Sequence, residues 1–152
     1  MTFNCDNIHK QHKELSRILD KYEPDLVMLQ EIKTKQIWET EFNESFESYE
    51  FFFNCEDQYI LQLEDQLKYS TKTIYGGTAI GLRVDTFKEV EHKSMNDIHE
   101  RFQALETDRV LFICVYLPSD VPDKQDYFDQ VYSDLTHFIE ENRGEKEVKN
   151  FI

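Results

Sequence analysis

The residue with the clearest chemical potential is Glu31. It follows Leu26, Val27, Met28 and Leu29, an apolar run entered through Pro24-Asp25 and stopped by Gln30-Glu31-Ile32-Lys33. Four apolar residues in succession read as a strand buried on both faces. An acid at the end of such a strand lies at the carboxyl edge of a sheet, where α/β proteins place their chemistry. A carboxylate there can ligate a hard cation, or it can be the acidic first-turn residue of a following helix; the residue type permits both. Asn4-Cys5-Asp6-Asn7 is by itself an Asx-rich turn. Tyr116 closes an apolar run and can hold its hydroxyl at a sheet edge. Gly76-Gly77 reads as a tight turn and not a phosphate loop, since no helix opening on Lys-Ser or Lys-Thr follows it. His9, His12, His92, His99 and His137 are scattered through polar segments without zinc-ligand spacing, and are expected to be solvated or on helix surfaces.

The elements that must position these residues follow from periodicity. Thr2 to Cys5 is a short strand end. From Ile8 the pattern is helical, with Ile8, Leu15, Ile18, Leu19 and Tyr22 on one face, and Pro24 ends it. Strand, helix, strand predicts a parallel pair. Gln36 to Phe46 reads as a short helix and Tyr49 to Phe53 as a strand. Residues 56–72 read equally as a surface helix or a mobile insertion. Thr78 to Val84 is a strand, Val90 to Met95 a weaker one. Arg101 to Glu106 and Arg109 to Leu117 form a hairpin about Thr107-Asp108. Pro122 opens a helix that buries Tyr127, Phe128, Val131, Leu135, Phe138 and Ile139 and stops at Gly144. Glu147 to Ile152 reads as the start of another strand.

The chain has 152 residues, the size of one domain, with 17 basic and 31 acidic residues and a net charge of −14. That field repels nucleic acid unless cations or a local basic patch offset it. Cys5, Cys55 and Cys114 form no CxxC pair and read as buried thiols of an intracellular protein, nuclear or cytoplasmic. No apolar run reaches membrane-spanning length.

Four stretches in order resemble the endonuclease/exonuclease/phosphatase superfamily of metal-dependent phosphodiesterases. They are Phe3-Asn4-Cys5-Asp6-Asn7-Ile8; Pro24-Asp25 with Leu29-Gln30-Glu31-Ile32-Lys33; Tyr75-Gly76-Gly77-Thr78-Ala79-Ile80; and Arg101 through Val115-Tyr116-Leu117-Pro118-Ser119. The last also resembles the endonuclease region of non-long-terminal-repeat retrotransposons. The resemblance implies an α/β (α+β) fold, the N-terminal half of a four-layer α/β/β/α sandwich with a mixed sheet and outer helices. It implies Glu31 as a magnesium ligand (manganese being able to substitute), Asp6 as a second metal residue, and Asn4 and Tyr116 as catalytic partners. Arg101 and Lys33 would meet substrate phosphate, and nucleic acid would be the partner.

The sequence also departs from the pattern. Asn7 stands in place of a glycine, Ile32 of a threonine and Cys114 of an asparagine. The family's Gly-Asp-X-Asn motif, whose Asp and Asn activate the nucleophile, does not occur, nor does its Asp-His pair. The expectation is therefore a single partial domain over 1–152, truncated before the family's second half. It would catalyse poorly or not at all, with an inner sheet face left open for self-association. The alternatives are a non-catalytic fragment or interaction protein, and a phosphoesterase of the superfamily's phosphatase branch.

Overall fold

The computed structural model describes residues 1–55, 76–97, 101–108, 110–117, 124–143 and 147–150. Two four-stranded sheets form the centre. The first has the order β1 (Thr2–Asn4), β2 (Leu26–Gln30), β4 (Thr78–Arg83), β3 (Tyr49–Asn54). The second runs β5 (His92–Asn96), β6 (Phe102–Thr107), β7 (Val110–Val115), β8 (Glu147–Asn150). In the first, β1 and β2 are parallel, as the strand–helix–strand opening predicts, and β4 is antiparallel to β2 and β3. In the second, β5, β6 and β7 are antiparallel and β8 is parallel to β7.

The helix joining the parallel pair is α1 (Ile8–Tyr22). Asn7 caps it, its Oδ1 accepting from the backbone N–H groups of His9 and Lys10 at 3.1 and 3.2 Å; losing such a cap costs about 1 kcal/mol. Glu23 closes it in a left-handed conformation, its N–H donating to Leu19 O. Ile8, Leu15 and Leu19 are buried. Tyr22, expected on the same face, is 64% exposed; its ring instead carries the Lys21 ammonium, 4.8 Å from its centroid.

The segment expected as one helix over Gln36 to Phe46 divides into a 3₁₀ turn (Gln36–Trp38) and α2 (Glu39–Glu44). Phe42 and Phe46 from this region meet Phe51 of β3 in mutual ring contacts. These rings join α1, β1 and β2 in one core layer. A single turn, α3 (Val84–Phe87), ends β4.

A second core layer lies between the sheets. Met28, Ile80 and Leu82 pack with Leu105 and Cys114, flanked by Leu26, Phe52, Phe87 and Phe112. Side-chain amides join the sheets: Asn54 Nδ2 donates to Phe102 O at 2.8 Å, and Gln103 Nε2 to Phe52 O at 2.9 Å. The third layer sets α4 (Lys124–Arg143) on the second sheet, through Leu135, Phe138 and Ile139 against Ala104, Leu111 and Ile113.

The α/β/β/α layering is thus present, and one expectation needs correction. The inner face of the first sheet is not open: the β6–β7 hairpin covers it from within the chain. The covering strands come from the 101–117 hairpin itself, with Leu105 and Cys114 against Met28, Ile80 and Leu82. The face on which self-association was expected is internal.

Tertiary structure accounts for each cysteine as a buried thiol. Burial drives Cys5 and Cys114 up to about 12, so neither is a thiolate at neutral pH. Residues 56–72, with His99, Pro122 and Gly144, lie outside the described residues. Among the described residues, no helix is long and apolar enough to cross a membrane.

Candidate functional site

Strand register brings the first two motifs together. Asn4 pairs with Gln30, so the residues after β1 and after β2 leave the sheet side by side. The pairing continues into both loops: Cys5 N–H donates to Gln30 O at 2.8 Å, Asn7 N–H to Glu31 O at 3.0 Å and Ile8 N–H to Ile32 O at 2.9 Å. On the other side Ile32 N–H and Lys33 N–H donate to the carbonyls of Gly77 and Gly76 at 3.2 and 3.0 Å.

Within this frame Asp6, Asn7, Glu31 and Lys33 all have positive φ, at 43°, 103°, 52° and 45°. Non-glycine residues so held cost about 1–3 kcal/mol each and cluster where geometry serves function. No helix starts at Glu31, which excludes its reading as a helix-dipole acid. Gly76 and Gly77 also have positive φ, 74° and 80°, and a Cβ on Gly77 would lie 2.9 Å from Ile32 Cγ1. The pair is a backbone cradle for the Glu31 loop as well as a turn.

The side chains converge on Glu31. Asn4 Nδ2 donates to Glu31 Oε1 at 3.0 Å. Lys33 Nζ lies 2.9 Å from Glu31 Oε2 and also donates to Asp6 Oδ1. Asn4 Oδ1 accepts from the Asp6 N–H at 3.1 Å, which fixes the amide's orientation. Asn4 and Lys33 hold the Glu31 carboxyl below the usual carboxylate range, and Lys33 does the same for Asp6. Lys33 is itself pushed up, chiefly by its hydrogen bonds to Asp6 and Glu31. All three are charged at neutral pH.

Tyr116 reaches this cluster from the second sheet. Cys114, two residues earlier, touches the end of β2: its Sγ donates to Leu29 O at 3.5 Å and receives Gln30 Nε2 at 3.4 Å. The Tyr116 ring packs on Gly76, where a Cβ would lie 3.3 Å from Tyr116 Cε1. Burial, then the nearby Glu31 charge, raises the Tyr116 phenol. It is therefore a neutral hydrogen-bond donor.

Arg101 is placed differently. Its carbonyl accepts from Tyr116 N–H at 2.8 Å, so its backbone lies at the site. Its guanidinium turns to α4, with Nη2 2.9 Å from Asp134 Oδ2. The structure brings Asn4, Asp6, Glu31, Lys33 and Tyr116 together and gives the Arg101 side chain to the helix.

As donors for a cation, Glu31 and Asp6 are two carboxylates on one ammonium, beside an amide. Oxygen ligands of this kind suit magnesium, which keeps several waters and needs few protein groups. Lys33 marks the point at which their negative charge concentrates. Among the described residues, no group of three or more His, Cys, Asp or Glu side chains could hold a metal, so an ion here would need water or substrate oxygens to complete its shell. The histidines of α1 keep to the helix surface as expected, His9 exposed and His12 half-buried; each also has a local partner, His9 Nε2 lying 2.7 Å from Thr34 Oγ1 and His12 packing on Phe42 and Phe46.

Residues 1–146 match the Endonuclease/Exonuclease/phosphatase family. The chain belongs to this family. Family members of known structure share its fold. A 3′ phosphatase, NExo from Neisseria bound to a product DNA hairpin, aligns with TM-score 0.65 and 20% identity over 98% of this chain and 55% of that one. An AP endonuclease from Archaeoglobus fulgidus gives 0.63 and 18%, over 93% and 50%. The AP endonuclease LMAP from Leishmania major gives 0.64 and 16%, over 91% and 46%. The chain thus spans about half the length of these family members. No curated protein gives a significant match.

Proposed function

We propose that this chain carries one side of a divalent-cation-dependent phosphodiester hydrolase site directed at nucleic acid. The observation that carries the reading is the convergence of Asn4 and Lys33 on the Glu31 carboxylate, with Asp6 on the same ammonium. Glu31, Asp6 and Asn4 would hold magnesium or manganese. A bound ion would supply positive charge against a phosphate oxygen and carry ordered water. Glu31 stays ionised and Asn4 fixes its orientation. Lys33 adds positive charge beside the position a phosphate would occupy. The neutral Tyr116 hydroxyl donates to a non-bridging phosphate oxygen without burying a charge.

Hydrolysis also needs a group that takes the proton from the attacking water. The Gly-Asp-X-Asn motif that supplies it in the family is not in this sequence, nor is the Asp-His pair that contacts phosphate. The 152 residues are therefore expected to bind the cation and to cleave slowly or not at all. The net charge of −14 favours a second reading, in which the chain is a non-catalytic fragment or interaction protein.

Two measurements test the proposal. Titration calorimetry with magnesium should show one site, lost in Glu31→Gln. A nicking assay on plasmid DNA should show little turnover. Heat signals unchanged by Glu31→Gln would remove the metal assignment. Robust nicking abolished by Glu31→Ala would overturn the expectation of low activity.

A further inference from the structure

Trp38 is the only tryptophan in the chain. It is 43% exposed, and Ile37 beside it is 62% exposed. Both stand on the 3₁₀ turn that directly follows the Glu31 loop, with Trp38 N–H donating to Lys35 O at 3.0 Å. The indole is braced: His9 meets it edge-on, with centroids 5.9 Å apart and planes at 81°. His9 in turn bonds Thr34, which is buried and adjoins Lys33. The ring is thus tied through His9 to the loop that carries Glu31 and Lys33. A hollow of about 180 Å³ opens beside it, lined by His9, His12, Trp38, Glu41, Phe42 and Ser45. The other exposed aromatics among the described residues differ. Tyr22 lies at the far end of α1 under Lys21, and Tyr132 is on α4.

Glu41 lines the hollow, and the cations that could take a strand's backbone come from the α1 and site-loop side of the ring. Residues 1–38 hold six basic and six acidic residues, so the entire net charge of −14 falls on residues 39–152. Lys10, Lys13, Lys33 and Lys35 lie in the first two turns of α1 and in the site loop. The charge of Lys10 reaches Asp6. An aromatic platform beside dispersed lysines is the arrangement by which proteins hold unpaired bases: the ring takes the base face and the cations take the backbone.

We propose that Trp38 is a nucleobase-stacking subsite for an unpaired stretch of nucleic acid whose phosphate lies at the Glu31–Lys33–Tyr116 cluster. This rests on the reading of that cluster as a nucleic-acid phosphodiester site. Every base presents a π-face, so the subsite selects unpaired over paired bases rather than one base over another.

The single tryptophan gives a direct readout. A single-stranded deoxyoligonucleotide titrated into the full chain without divalent cation should quench Trp38 fluorescence saturably. An abasic oligonucleotide of the same length, with the same phosphates and no bases, should leave the emission unchanged. By anisotropy with a labelled strand, Trp38→Ala should weaken binding roughly 5- to 100-fold, while Trp38→Phe retains most of the affinity. Far-ultraviolet circular dichroism of each variant confirms folding, which a half-exposed ring should not disturb. Absence of binding, binding without a change in emission, equal quenching by the abasic strand, or a Trp38→Ala affinity equal to that of the unsubstituted chain would each overturn the proposal. Its failure is separable from that of the hydrolase reading. Magnesium binding lost in Glu31→Gln beside unquenched Trp38 sinks the stacking subsite alone, and quenching without a metal site sinks the other alone.

Discussion

Glu31 and Lys33 carry most of what is specific at the residue scale. Lys33 bridges two carboxylates that would otherwise repel one another across a strained loop pair, leaving one net negative charge. Because both carboxyls titrate below their ordinary range in the folded chain, they contribute stability above that range and lose it as the pH falls through their lowered values. Lysine shifts the other way, so its contribution is complete below its ordinary titration and fades above it. Lys33→Met should therefore lower Tm most near neutral pH, with the gap to the unsubstituted chain closing under acid conditions. Thermal melts from pH 3 to 8 measure this; a gap that widens toward pH 3 would contradict the charge assignment.

At the scale of elements, the site depends on loops held by neighbouring backbone. Gly77 is the tightest of these contacts, combining positive φ with a Cβ position 2.9 Å from Ile32 Cγ1 and 3.2 Å from Cys55 Cβ. Gly77→Ala should cost about 1–3 kcal/mol by urea denaturation, from backbone strain and displaced neighbours. It should also weaken magnesium binding, because Ile32 adjoins Glu31. Helix α4 is docked by polar as well as apolar contacts. Asp134→Ala removes an ion-pair partner of Arg101, a largely buried side chain that also bonds Tyr127. That change should cost roughly 1–3 kcal/mol by the same measurement. Asp134→Asn, which can still accept a hydrogen bond, should cost less.

Across the whole molecule, the packing between the sheets decides where Tyr116 lies. Leu105 is fully buried between them. Leu105→Ala should destabilise by about 2–5 kcal/mol, read as a lower urea midpoint. It should also loosen the site, since the two sheets carry different site residues. The internal position of the sheet face also predicts a monomer by light scattering. A stable dimer whose formation is blocked by substitutions in Met28 or Ile80 would show instead that the sheets separate.

The elements were largely legible because periodicity and punctuation report local physics. The run Leu26 to Leu29 is a strand buried on both faces. The Thr107-Asp108 turn joins its hairpin, and the apolar stripe of α4 faces the second sheet. Tyr22 shares the periodic apolar face of α1 yet is exposed, because periodicity says which side a residue shares, not how far the covering layer extends. Between Gln36 and Phe46 the helical form changes at Trp38, which apolar spacing over so short a segment does not encode. From sequence alone come the family, through the motifs that contain Asn4, Glu31 and Tyr116, and the residue types on which the proposed site rests. Tertiary structure alone decided that Asn4 bonds Glu31, that Lys33 joins Glu31 to Asp6, that Gly76 seats Tyr116 and that Arg101 belongs to α4. It also decided that the inner sheet face is covered. The reason is physical: hydrogen bonds and ion pairs between residues 27 to 85 positions apart are set by register and sheet packing, which local periodicity does not encode.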